Sequence, residues 1–174
     1  GNVATAALFD EAVDRCREMG WEVVEIDFAP FLEAARLLYE GPWVAERLAA
    51  IEPFLDKQAE ALHPITRKII EGARGLTAVE AFRAEYRLRD RKRRADQVGD
   101  SADAILTPTI GSPYTTAEVE ADPVQLNSNL GYYTNFMNLL DYAAVAVPSG
   151  ILKQEGLPWG VTLFGPAFRD AFLL

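Results

Sequence analysis

Five small apolar residues in a row, Ala143-Ala144-Val145-Ala146-Val147, stand between a helical pattern and Pro148. A polar-free run of that length suits a strand buried on both faces, with the proline as its stop. The residues leading into it complete the motif. In NSNLGYYTNFMNLLDYAAVAVPSG, from Asn127 to Gly150, a polar and glycine-bearing opening (Asn127, Ser128, Asn129, Gly131) runs into Tyr132 and Tyr133. Phe136, Leu139 and Leu140 then share one helical face. Loop, helix, buried strand and Pro/Gly stop make a wall for a site at a sheet's edge. Asn127, Asn129, Asn135 and Asn138 would furnish neutral donors and acceptors, and the same asparagines also read as caps of helices and turns.

The chain before this motif alternates helix and strand signals. Ala4 to Met19 has the helical spacing Leu8, Ala12, Cys16, Met19, closed by Gly20. Trp21 to Phe28 alternates, with Val24, Ile26 and Phe28 on one side, which predicts a strand. Helix followed by strand is the return half of a crossover unit, so the expected class is α/β. Thr77-Ala78-Val79-Glu80 reads as a capping box, opening a helix to about Asp96 with Val79, Phe82, Tyr86 and Leu88 on its buried side. Its cations (Arg83, Arg87, Arg89, Arg91, Lys92, Arg93, Arg94) read as a solvated face. Ala104-Ile105-Leu106 predicts a short strand closed by Thr107-Pro108, followed by about seventeen residues of loop, long enough to suggest a role in function. A last strand is expected from Trp159 to Phe164, with a helix starting near Arg169.

Gly41-Pro42 interrupts a long helical pattern between Phe31 and Phe54 and predicts two helices meeting at a bend. Tyr39 and Arg47 flank the break, eight residues apart, on nearby faces. A guanidinium fork beside a tyrosine hydroxyl suits a small carboxylate. The alternative is that Tyr39 packs while Arg47 pairs with Glu40 or Glu46.

Composition narrows the chemistry. A chain of 174 residues is one domain or a large piece of one. Its 26 acids against 17 bases, net −9, disfavour nucleic acid or an anionic membrane as partner, and no run is long and apolar enough to span a bilayer. With one cysteine (Cys16) and one histidine (His63), an internal disulfide and a Cys- or His-rich zinc site are excluded. The lone cysteine fits a reducing, cytoplasmic setting. His63, just before Pro64, reads as a turn residue. Ser101, Ser112, Ser128 and Ser149 lie in no nucleophile elbow, and no phosphate loop or dinucleotide fingerprint is present. The residues alone give an α/β body with a polar rim and no visible nucleophile.

Three blocks carry a resemblance: LLYEGPWVAERLAAI, the stretch ILTPTIGSPYTTAEVEADPVQ with the Asn127–Gly150 motif, and GLPWGVTLFGPAFRD. Together they resemble the later half of the amidase-signature domain of allophanate hydrolases. The resemblance implies residues 1–174 as a partial domain, a mixed sheet covered by helices. It also implies hydrolysis of allophanate (urea-1-carboxylate) to ammonia and carbon dioxide, in urea or triazine catabolism, through serine, cis-serine and lysine with no cofactor. Those catalytic motifs are absent here, so no catalytic residue is assigned and the chain by itself is expected to be inactive. Tyr39 and Arg47 match the family's carboxylate-holding pair, and Asn127, Tyr133 and Asn135 are further candidates for lining the pocket. The abrupt start at Gly1 fits a fragment whose partner is the missing N-terminal half or a second copy. A non-catalytic binding or scaffold subunit is the alternative.

Overall fold

The computed structural model describes residues 2–153 and 156–174, and at positions 39 and 40 the helical backbone alone. Helix α1 (Val3–Glu18) begins at Asn2, whose Oδ1 accepts from the N–H groups of Ala4 at 2.9 Å and Thr5 at 3.4 Å. It ends at Gly20, in left-handed backbone with φ of 87°. The expected strand over 21–28 does not form: the segment has no ladder partner, and Trp21, Val23 and Val24 are exposed. Alternation records which side chains face the core, and Ile26 and Phe28 do pack there, but a strand also needs a hydrogen-bonded neighbour.

Helices α2 (Ala29–Glu40) and α3 (Trp43–Gln58) meet at the predicted bend. Helix α4 (Pro64–Glu71) follows, with the exposed His63 at its N-cap position. The capping box at Thr77 and Glu80 opens α5 (Ala78–Gly99). Its buried face, however, is not the expected one. Val79, Phe82 and Tyr86 are exposed, whereas Ala84 and Ala95 are buried and Leu88 is half-buried. Helices α2 and α5 meet in a cluster that holds Ala34, Ala35 and Ala95, with Leu88 and Val98 packed against it, so the contact uses a face of α5 other than the one bearing Val79, Phe82 and Tyr86.

Three strands, β1 (Ile105–Pro108), β2 (Tyr142–Leu152) and β3 (Leu157–Pro166), form an antiparallel sheet in the order β1-β3-β2. Successive side chains of β3 point to opposite faces. On one side Phe164 meets Phe31 and Phe136 with ring centroids 5.5 and 5.3 Å apart, all three fully buried. On the other side Trp159 and Val161 pack with Leu152 and with Ala12 of α1. Helices thus cover both faces of the central strand, in an α/β arrangement. A third cluster, Leu48, Leu55, Ile70 and Ala73, holds α3 to α4 beyond the bend.

The motif around β2 differs from expectation in two ways. Strand β2 is an edge strand, and Ala144, Ala146 and Val147 are exposed rather than buried on both faces. Pro148 does not stop it. The proline sits at a bulge between Pro148 and Gly150, a place where a residue without an N–H is tolerated, and pairing continues to Leu152. The long loop after β1 also contains helices, α6 (Thr116–Ala121) and α7 (Gln125–Leu130). Thr115 and Glu118 close a second capping box there. Helix α8 (Phe136–Leu139) falls where its spacing predicted, and α9 (Asp170–Leu173) follows Arg169.

Candidate functional site

The bend between α2 and α3 depends on Gly41. Its N–H bonds to the Leu37 carbonyl at 2.7 Å, and the Trp43 ring lies over it so closely that a Cβ there would come within 2.3 Å of Trp43 Cζ3. Pro42 has no N–H to leave unpaired and precedes the first residue of α3. Tyr39 belongs to the last turn of α2, and its side chain lies outside the described residues. Arg47 stands one turn into α3, exposed. Among the described residues no carboxylate pairs with it, Glu46 included. The guanidinium is therefore available to solvent on the rim of the bend. The other partner weighed for it, the Glu40 side chain, is outside the described residues.

Of the remaining candidates, Tyr133 lies at the opposite end of α2. The Tyr133 ring lies 6.2 Å from Phe28, which precedes α2, and 4.9 Å from Tyr132. It also covers Gly111, where a Cβ would lie 3.2 Å from Tyr133 Cε2. Burial pushes the Tyr133 hydroxyl above its ordinary pKa. Asn135 donates its N–H to the Gly131 carbonyl at 2.8 Å, and its side chain is folded over Gly131. Asn127 is exposed on α7. Asn129, also named from the sequence, joins a network with two residues that were not: Gln125 Nε2 donates to Asn129 Oδ1 at 3.0 Å, and Asn129 Nδ2 donates to the Tyr114 hydroxyl at 3.2 Å.

Tyr133 thus covers Gly111 and Asn135 covers Gly131, while Tyr39 and Arg47 stand near the far end of α2. From Phe28 to Tyr39 the helix rises roughly 16 Å, so one small acid reaches one end only. Two of the candidate serines are engaged structurally: Ser101 Oγ donates to the Val98 carbonyl at 2.7 Å, and Ser112 Oγ accepts from Asn2 Nδ2 at 3.1 Å. Among the described residues no three His, Cys, Asp or Glu side chains gather as metal ligands, and no helix is long and apolar enough to cross a membrane.

The family model Amidase matches residues 2–174. The chain belongs to the amidase family. Among curated members, the urea amidolyase of Saccharomyces cerevisiae is 44% identical over the whole of this chain, which spans 10% of that protein. The Lachancea kluyveri urea amidolyase is 40% identical, with the same shares covered. Among solved structures, Kluyveromyces lactis allophanate hydrolase superposes with a TM-score of 0.94 at 39% identity, covering 99% of this chain and 28% of that one. This amidase-family chain therefore spans about a tenth of these two curated relatives.

Proposed function

We propose that this chain is the substrate-recognition part of an amidohydrolase that hydrolyses allophanate, the bend between α2 and α3 holding the substrate carboxylate. The observation that carries the reading is the 39–44% identity along the entire chain to urea amidolyases and an allophanate hydrolase. The exposed Arg47 beside the Gly41-Pro42 bend, paired with no carboxylate among the described residues, supports it physically. A charge-assisted contact to a small acid contributes roughly 1.5–3 kcal/mol, and fixing one end of the acid presents its amide to a nucleophile. Asn127, Tyr133 and Asn135 are assigned the lesser role of shaping the approach, away from the bend. The nucleophile and its base, serine, cis-serine and lysine, reside on residues outside this chain, which contributes binding and no catalytic group.

The exposed edge and outer face of β2, with Trp21, Val23 and Val24 also exposed, support a body that packs against more protein. We assign that cover to the rest of an amidase domain in the cytoplasm, with no cofactor. Ammonia release from allophanate by the full-length polypeptide, with and without Arg47→Ala, tests the reading. Wild-type kinetics in the variant would remove the carboxylate role from Arg47.

A further inference from the structure

The ion pairs of α5 divide its cations into two groups. Arg89 pairs with Glu85 at 3.0 Å, Arg91 and Arg94 with Glu33 at 3.1 and 3.0 Å, Lys92 with Asp96 at 3.0 Å, and Arg93 with Asp90 at 3.1 Å. Among the described residues, Arg83 and Arg87 form no such pair. They stand one turn apart on one face, where like charges repel, and too far from the C-terminal turn for its dipole to offset them. These two also line a cleft of about 230 Å³ between the Gly41-Pro42 bend and the start of α5. Leu76 supplies its apolar lining and Glu80 a carboxylate. That carboxylate is committed elsewhere. Its Oε2 accepts from the Thr77 N–H and hydroxyl, both at 2.7 Å, so it partly offsets the charge of Arg83 without bridging to either guanidinium.

We infer that this cleft is an anion-binding subsite in which Arg83 and Arg87 take a small carboxylate. Two guanidiniums facing one concavity, in no ion pair among the described residues, focus an attractive potential for anions on a chain whose net charge is −9, and each fork matches the two oxygens of a carboxylate. The volume falls below the roughly 300–1,000 Å³ of pockets for drug-sized ligands, which selects a small acid. Gly41 and Pro42, which line the cleft, lie between Tyr39 and Arg47 in the chain, so the subsite adjoins the proposed carboxylate-holding pair. The identity of the acid as allophanate rests on the proposed function, whereas the existence of the subsite does not. Arg83 and Arg87 are positioning residues that capture the anion beside the proposed carboxylate-holding pair.

The test compares the full-length wild-type polypeptide with Arg83→Gln/Arg87→Gln, Arg83→Lys/Arg87→Lys and Arg47→Ala. Malonate titration should report two sites in the wild type, one lost in Arg47→Ala and the other weakened at least tenfold in the double glutamine variant. With allophanate, the double glutamine variant should raise KM about tenfold, with the change falling on KM rather than kcat, and should flatten its dependence on ionic strength. The lysine variant keeps the charge without the fork and should retain most of the salt dependence while losing part of the affinity. If the wild type does not turn over allophanate, the proposed function falls and malonate alone decides the subsite. Malonate binding of wild-type affinity and stoichiometry in the double glutamine variant overturns the inference in either case.

Discussion

Tyr142 donates its hydroxyl to Asp96 Oδ1 at 2.8 Å, joining edge strand β2 to helix α5. Lys92 donates to the same oxygen at 3.0 Å, and its Nζ stands 4.9 Å from the centroid of the Tyr142 ring. One carboxylate thus ties the sheet to the helix that borders the Gly41-Pro42 bend. Burial, and then the bond to Asp96, push the Tyr142 pKa far above the ordinary tyrosine value.

Removing that hydroxyl should loosen the junction without collapsing it. Tyr142→Phe leaves Asp96 with Lys92 and solvent, so the expected cost is about 0.5–1.5 kcal/mol, or a fall in Tm of roughly 1–6 °C. The pH dependence follows from the raised pKa. Above about pH 10 the unfolded chain releases the phenolic proton while the folded chain keeps it, so the wild type loses stability as pH rises. Unfolding midpoints at pH 8 and pH 10.5 should therefore converge for wild type and variant, and a gap that widens with pH would contradict the assignment.

Gly160 faces Pro148 across the β2–β3 ladder, and a Cβ there would sit 2.8 Å from the Val147 carbonyl oxygen. Backbone cannot step aside as a flexible side chain can. Gly160→Ala should cost about 1–3 kcal/mol, read from denaturant unfolding. A midpoint equal to wild type would mean that the strands pair more loosely at the bulge than the register indicates.

Arg47→Ala in the full-length polypeptide should lower kcat/KM for allophanate roughly 10- to 150-fold, the kinetic equivalent of one charge-assisted contact. Thermal stability should hardly change, because Arg47 is exposed and no carboxylate among the described residues pairs with it. A variant that melts early would instead point to a packing role.

The apolar stripe on α5 offers a check on the fold itself. Phe82 and Tyr86 are 63% and 64% exposed, so Phe82→Ser and Tyr86→Ser should each alter stability by no more than about 0.5 kcal/mol while reducing light scattering at high concentration. A loss above about 2 kcal/mol in urea unfolding would show that another surface covers the stripe.

Local rules account for much of what was legible in the sequence. The bend at Gly41-Pro42, the capping box at Thr77 and Glu80, the glycine stop at Gly20 and helix α8 all follow from interactions within a few residues, which a sequence displays directly. The likeness to allophanate hydrolases was legible in the blocks around Tyr39–Arg47 and Ala117–Asn135. Tertiary structure decided what local pattern leaves open, namely which neighbour each face meets. Residues 21–28 alternate like a strand yet have no ladder partner. Val79, Phe82 and Tyr86 repeat like a buried face, but α5 meets the core through Leu88, Ala95 and Val98 instead. Pairing and burial are settled by residues far apart in the chain, as is the pairing of Arg91 and Arg94 with Glu33, which leaves Arg83 and Arg87 to the cleft.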